Sequence, residues 1–456
     1  MDDRSRRKRA ANRVFGQLGA LAGVLLFAFA AYAQSYKTSG SQPGLQPVRI
    51  IGTNGVIPFL ASAQTTRTQF VARIPVIFGC PATELTLAFD NFYLQAGTPV
   101  VETNLGQAMT IVKVALENTS PTTFTPIKFG GLAGTTLADG ASNQHSDTLT
   151  ISLVPNQLYW IRITGTIPAA GNLPEGANTG INYAGTASYL YPPANDIDQV
   201  YATGAMTAPS GSLAQNYGYG PSAILGRCAT AGHLAVANIG ASWSVGNDDY
   251  QVSSGGAACA DSGNMIATGY GLMPHAALGA GGAISGAIPY TKITQGGSGA
   301  AEALTWTKSV TYLQYANVLF DDMGANDVPG GVAATIYNNN LQMWQNARAV
   351  GVERIVVMQM NQRTSSTDNW ATAANQTPGN GFNTGQVGDQ INTMYQTAPI
   401  DGQLTLATTQ DSSTRWKWLT DGTAYKYTCQ GVHPNLNSYP LMGAELRSIL
   451  QGLSIN

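Results

Sequence analysis

The chain has 456 residues, too many for one ordinary hydrophobic core, so two folded units are expected. Only 11% of the residues are charged and the formal net charge is -2, which excludes an electrostatic footprint for nucleic acid. Heavy use of Gly, Ala, Thr, Ser and Asn predicts a polar, weakly charged surface of the kind an exported protein carries.

The first residues agree. A basic run, "RSRRKRAANR" (4–13), is followed by the apolar "LGALAGVLLFAFA" and then by "AYAQS", with small residues at Ala31 and Ala33. This three-part layout predicts a secretory signal over residues 1–33, cleaved after Ala33. An uncleaved anchor is the alternative, but Gly16 and Gln17 shorten the apolar run below the ~20 residues a membrane span prefers. No second long apolar stretch follows, so the mature chain is expected to be secreted or periplasmic, with no membrane partner. The oligomeric state is not legible. Four cysteines, Cys80, Cys228, Cys259 and Cys429, allow two disulfides in three pairings, among which their spacing does not choose. They contain no CxxC pair, so no metal site is expected, and no cofactor motif is present.

Residues 45–190 read as short strands, among them "TQFVARIPVIF", "ELTLAFDNFYL", "MTIVKVALENTS" and "QLYWIRITGTI". Apolar and polar residues alternate along them between clusters of Gly, Pro, Asn and Thr, which predicts an all-β, sandwich-like domain. Its aromatics Tyr159, Trp160 and Tyr183 are candidates for stacking on sugars, although aromatics in strands are more often core. Residues 191–230 turn rich in Pro, Gly, Tyr and Ser and read as an interdomain connection.

From residue 231 to 456 the rhythm changes. The apolar stretches "HLAVANIG", "IPYTKITQGG", "YANVLFDDMG" and "ERIVVMQM" read as buried strands. Helix-like segments alternate with them, including "AAEALTWTKSVTYLQ" and "GGVAATIYNNNLQMWQNARAVG", the latter ending at Gly351. Such alternation predicts an α/β domain with a parallel sheet covered on both faces, whose ligands bind at the carboxyl ends of the strands.

The loops at those ends carry the chemistry. In "IGASWSVG", Ser242 follows a strand directly, where a strand-to-helix turn can expose a nucleophilic hydroxyl or simply cap a helix. In "TQGGSGA", Gly296 and Gly297 let the backbone approach a substrate, or make an ordinary turn. In "DDMGANDV", Asn326 offers an amide to a developing oxyanion. In "GVHPN", His433 is a candidate general base, its backbone constrained by Pro434. The other histidines, His145, His233 and His275, lack such a setting.

In this order and spacing the four loops resemble the SGNH (GDSL-type) hydrolases, whose blocks supply Ser, Gly, Asn and His. The first block reads Gly240-Ala241-Ser242, with Ala241 where the family has an acid. The second ends at Gly297, the alternatives Gly282 and Gly286 looking like a loop before the strand. The third, Gly324-Ala325-Asn326-Asp327, matches completely. The fourth reads Gln430-Gly431-Val432-His433-Pro434. The resemblance implies a three-layer α/β/α, flavodoxin-like domain behind the all-β domain. It further implies a serine esterase acting on acetyl or other acyl esters of carbohydrates or lipids. On this reading Ser242 attacks, His433 moves the proton, and the N–H groups of Ser242 and Gly297 with the Asn326 amide bind the oxyanion. A degenerate domain that binds glycans without turnover is the competing reading.

The position of the triad acid is occupied by Gln430. If its amide oxygen faces the imidazole Nδ1–H, the useful tautomer survives; if its NH₂ faces the ring, Nε2 keeps the proton and cannot take one from Ser242. Asp421, in "LTDGTAY", is the first candidate to replace the missing carboxylate, with Asp327 and Asp411 behind it. Trp243 is expected either to wall the acyl site or to pack under its loop.

Overall fold

Alternation along Gln69–Ile77, Met109–Thr119 and Leu158–Thr166 sends every second side chain to one side of an antiparallel sheet. The computed structural model describes residues 46–178, 183–195, 198–249, 251–253, 259–261, 271–279 and 284–455. The predicted signal at 1–33 and Gly282 lie outside these residues.

That seven-stranded sheet runs Thr135–Leu137, Met109–Thr119, Leu158–Thr166, Gln69–Ile77, Ala187–Tyr191, Leu213–Ala214, with Thr122–Ile127 also on Met109–Thr119. A five-stranded antiparallel sheet is built on Ala82–Phe89, flanked by Ala223–Gly226, Gln144–His145 and Leu149–Leu153, with Arg49–Ile50 at its edge. Ile74, Val76, Leu116, Ile161 and Ile163 from the larger sheet share one buried cluster with Leu85, Leu87, Phe89 and Ile224 of the smaller. Residues 191–230, expected as a connection, instead supply strands to both sheets. Tyr159 and Trp160 are buried: Tyr159 packs edge-on against Phe78 with ring centroids 5.0 Å apart, and the Arg73 guanidinium covers Trp160 at 3.7 Å. Sugar stacking on these two residues is therefore ruled out; Tyr183 is half-buried against the core of the following half.

The second half is built on six parallel strands: β1 (Gly55–Val56), β2 (Val236–Gly240), β3 (Tyr290–Thr294), β4 (Val318–Asp321), β5 (Arg354–Met358) and β6 (Gly402–Leu404). Their spatial order is β1-β3-β2-β4-β5-β6. The helices are α1 (Ser242–Val245), α2 (Leu272–Leu278), α3 (Ala300–Ala303), α4 (Ala333–Ala349), α5 (Val387–Tyr395) and α6 (Tyr439–Gln451). Val236, Val318, Phe320, Val356 and Leu404 pack with α2 and α6, whereas Ala237, Ile239, Leu319, Ile355 and Val357 pack with α4 and α5. Both faces are buried, which is why these strands read as continuous apolar runs. The segment "AAEALTWTKSVTYLQ" is not one helix. It breaks after α3 and resumes as a 3₁₀ turn, Ser309–Tyr315, where the Glu102 carboxylate accepts the N–H groups of Thr307, Lys308 and Ser309 at 2.9, 3.0 and 2.7 Å.

Glu102 belongs to the β-rich half, and so does β1. Residues 48–456 form one compact unit. Cys80 pairs with Cys228 and Cys259 with Cys429. Among the described residues no helix is long and apolar enough to cross a membrane.

Candidate active site

The order of the sheet decides where its loops meet. Chain connections leave the central β2 and its neighbours β3 and β4 in different directions, opening a crevice at their carboxyl ends. Ser242, Gly297 and Asn326 all follow those three strands.

β2 ends at Gly240, and the chain turns at once into α1, whose first residue is Ser242. Only glycine fits this corner, because a Cβ on Gly240 would lie 2.0 Å from Asp322 Oδ1. Asp322, just beyond β4, accepts the N–H of Ala241 at 2.7 Å and that of Ser244 at 3.1 Å, so it fixes the turn that carries the serine. Burial pushes the Asp322 carboxyl up to about 6, against the pull of those N–H groups and of Lys292. Lys292, buried on β3, donates to the Val245 carbonyl at 3.2 Å; burial pushes its ammonium down to about 7, opposed by Asp249 and Asp322. Ala241 thus leaves the turn intact, since the carboxylate that organises it comes from β4.

His433 arrives on a loop whose carbonyls are held one by one. Trp418 donates its indole N–H to Gly431 at 3.0 Å, Trp243 to Val432 at 2.9 Å, and the Thr428 hydroxyl to His433 at 2.7 Å. Gly431 has φ +78, and a Cβ there would meet the Thr364 carbonyl at 1.9 Å. The result is a 2.8 Å contact between His433 Nε2 and the Ser242 hydroxyl. Trp243 packs under the loop, buried and stacked on Trp418 with ring centroids 5.7 Å apart.

Asn326 donates its amide N–H to the Ser298 carbonyl at 2.9 Å, while its oxygen accepts from the Arg363 guanidinium at 2.7 Å. A guanidinium can only donate, so Arg363 settles which end of the amide faces which way, and one N–H of Asn326 is left for a ligand. Burial pushes the Arg363 pKa down to about 10. The loop holding Gly297 is tied to the serine strand by the Gln295 N–H on the Gly240 carbonyl, 3.2 Å. Gly297 itself has φ +86, with open space where a Cβ would stand. Gly286 lies elsewhere, donating its N–H to Asn156 Oδ1 at 2.7 Å.

Gln430 is beside the imidazole: its Nε2 lies 2.7 Å from His433 Nδ1 and 2.6 Å from Asp248 Oδ2. The replacement acid expected at Asp421 is not there. Asp421 is exposed, accepts the Thr423 N–H at 2.9 Å and pairs with Lys426 at 3.9 Å. Asp411 accepts the Ser413 N–H at 3.0 Å, and Asp327 the Ala300 N–H at 2.8 Å. The carboxylate near the ring is Asp248, whose Oδ2 is 3.8 Å from Nδ1. Sequence reasoning missed Asp248, Asp322 and Arg363; the paired acids in "GNDDY" and "FDDMG" were the available signals.

Of the other histidines, His275 is buried on Asp249 at 2.9 Å and His145 contacts Asn143 at 2.8 Å. Cys80, Cys228 and His233 form the one grouping of metal-ligand types among the described residues, and both sulfurs are in a disulfide, which leaves no thiolate to bind a metal.

No family model matches the chain, and no curated protein does. Among solved structures, it is similar to a family 2 carbohydrate esterase with a carbohydrate-binding domain from Corynascus thermopiles (Myceliophthora fergusii), at 13% identity over 89% of this chain and 98% of that one, TM-score 0.32. A family 2 carbohydrate esterase from Clostridium thermocellum, in complex with cellohexaose, is similar at 11% identity over 89% and 98%, TM-score 0.30. A candidate GDSL-like lipase from Parabacteroides merdae is similar at 14% identity over 48% of this chain and 98% of its own, TM-score 0.32.

Proposed function

We propose that this chain is an exported serine esterase of the SGNH type, its α/β half a three-layer α/β/α domain, hydrolysing acetyl or other short acyl esters. The observation that carries the reading is the 2.8 Å contact between Ser242 Oγ and His433 Nε2, at strand ends that also present the Asn326 amide. In the proposed cycle Ser242 attacks the acyl carbon as His433 takes its proton. The Ser242 and Gly297 N–H groups and the Asn326 amide hold the oxyanion, a class of contact whose individual donors contribute about 10²–10³ in turnover. His433 then returns the proton to the departing alcohol, and water, activated by the same imidazole, releases the acid and frees the serine. The family resemblance extends the proposal to acetyl groups on carbohydrates. The predicted signal and two disulfides favour export to an oxidising compartment.

A second reading, a weakened domain that holds glycans without turning them over, draws on the Gln430 NH₂ placed against Nδ1. With an acceptor at Nδ1 the ring proton sits on Nε2 and points at the serine, the tautomer that cannot accept a proton.

The test is hydrolysis of p-nitrophenyl acetate by the chain from Gln34 onward and by its Ser242→Ala variant, both shown to be folded. Turnover that disappears in the variant is the expected result. Equal rates remove Ser242 as nucleophile, and silence of both on the chromogenic ester and on acetylated glycans moves the reading to the binding protein.

A further inference from the structure

We infer that Asp248 is the displaced acid of this site, lending its charge to His433 through the Gln430 amide, so that one role held elsewhere by a single residue is divided between two loops. The inference rests on the esterase reading above.

The backbone puts Asp248 there deliberately. It has φ +66, a left-handed conformation that Asp tolerates better than most residues, and this turns its side chain toward the histidine loop. Both flanks of the residue are pinned. Asn247 accepts the Tyr439 hydroxyl at 2.9 Å, and Asp249 accepts the Gly271 N–H at 2.8 Å and contacts His275 at 2.9 Å. Asp248 is therefore presented by a fixed turn and not by a mobile side chain on a free loop.

An ionised carboxylate only accepts hydrogen bonds, so the Gln430 atom 2.6 Å from Asp248 has to be the amide nitrogen. That contact leaves Gln430 two settings. With the second amide hydrogen on Nδ1, the ring holds its proton at Nε2 and Ser242 rests. With the exposed amide shifted so that its nitrogen stays on Asp248 while its oxygen meets Nδ1–H, Nε2 is free to take the serine proton. Asp248 then polarises the amide from the far side and stands 3.8 Å from the imidazolium that forms. A carboxylate at that distance compensates the positive charge that develops on the ring as the serine proton arrives. Asp248 is a positioning and charge-compensating residue, since it touches neither substrate nor serine.

The test compares the parent with Asp248→Asn, Gln430→Glu and the double variant Asp248→Asn/Gln430→Glu. Asn is isosteric and accepts the left-handed backbone, so the fold is retained. The ring proton of His433, located on Nδ1 or Nε2 by its ¹⁵N shifts and assigned with His433→Ala, is expected to favour Nε2 more strongly in Asp248→Asn and to return toward Nδ1 in the double variant. Turnover of p-nitrophenyl acetate is expected to follow: kcat falls about tenfold with KM unchanged, then recovers when the charge is moved to position 430. Gln430→Glu alone gains little, because two carboxylates in contact share a proton. An unchanged position of the ring proton in Asp248→Asn, or a double variant no better than the single, overturns the inference. If the ring proton responds as expected while no Ser242-dependent turnover exists in the parent, the Asp248–Gln430–His433 relay stands and the esterase reading falls.

Discussion

Trp243 donates its indole N–H to the carbonyl of Val432 at 2.9 Å, so the residue after the serine and the residue before the histidine are joined by one hydrogen bond. Trp243→Phe keeps the ring and its stacking on Trp418 while deleting the donor. Loss of a buried hydrogen bond of this kind costs about 1 kcal/mol of stability. A displacement of a catalytic group by about 1 Å can cost 10²-fold in rate. The expected outcome is a melting temperature within a few degrees of the parent and a kcat reduced by about tenfold, measured by calorimetry and by ester hydrolysis on one preparation.

Arg363 acts on Asn326 by fixing the direction of its amide. Arg363→Met keeps much of the apolar body of the side chain but removes the guanidinium, and with it the seat over Phe382 and the hold on the Asn326 oxygen, so the amide can flip. Turnover should fall by about 10–10², short of the full loss of an oxyanion donor, with KM nearly unchanged. A KM effect with normal kcat would assign Arg363 to substrate binding instead.

Gly240 and Gly431 are each confronted by an oxygen, Asp322 Oδ1 at 2.0 Å and the Thr364 carbonyl at 1.9 Å from a modest Cβ. Gly240→Ala should push Asp322 off the N–H groups of Ala241 and Ser244. It is expected to lower activity by more than Gly297→Ala, whose Cβ meets open space although its φ of +86 carries backbone strain. Circular dichroism melts beside ester hydrolysis separate the two effects.

Asp321, bonded to the Trp344 indole at 2.6 Å, is pushed by burial up to about 7 from an ordinary 3.8. Between those values the folded chain keeps a proton that the unfolded chain releases. The stability this group contributes is therefore full below about pH 4 and is lost as pH rises through about 7. Asp321→Asn should flatten the decline of melting temperature over that window. A slope identical to the parent's would show that Asp321 ionises normally in the fold.

The Cys259–Cys429 disulfide ends one residue before Gln430 and fastens the histidine loop to the segment that follows Asp248. Cys80–Cys228 lies in the β-rich half. Replacing the first pair by serines should reduce kcat by a larger factor than it reduces stability, and replacing the second should do the reverse. The disulfide-free chain loses up to about 5 kcal/mol per bridge. Denaturant melts and initial rates on the two double variants check the assignment.

How much of this was legible in the sequence differs by feature. Strands β2 to β5 were legible because burial on both faces writes them as unbroken apolar runs, and the long strands of the β-rich half because burial on one face writes alternation. β1 and the strands within 191–230 are two to four residues long, too short for any period to register. Ser242 and Asn326 were legible as residues after strands of a parallel sheet, whose topology brings such positions together, whereas His433 was marked by the glycine turn and proline on either side of it. Asp248 was not: its contact with Gln430 joins residues 182 apart, and a carboxylate in a left-handed turn has no sequence period. Asp421 was the nearer acid along the chain, but its backbone sends it to solvent and Lys426.

β1 leaves one further mark on this protein. The edge of the six-stranded parallel sheet is completed by Gly55–Val56, which pairs with Thr291–Lys292 far downstream. During synthesis from the amino end, that edge strand has been made before any other strand of its sheet exists, and the late strands assemble against a template already waiting for them. A gene fragment beginning at residue 231 would reverse this order of supply. Its product would carry β3 with a bare, unpaired flank, and bare flanks of sheets find one another, so the fragment would emerge from cells as clustered particles and not as a smaller folded protein.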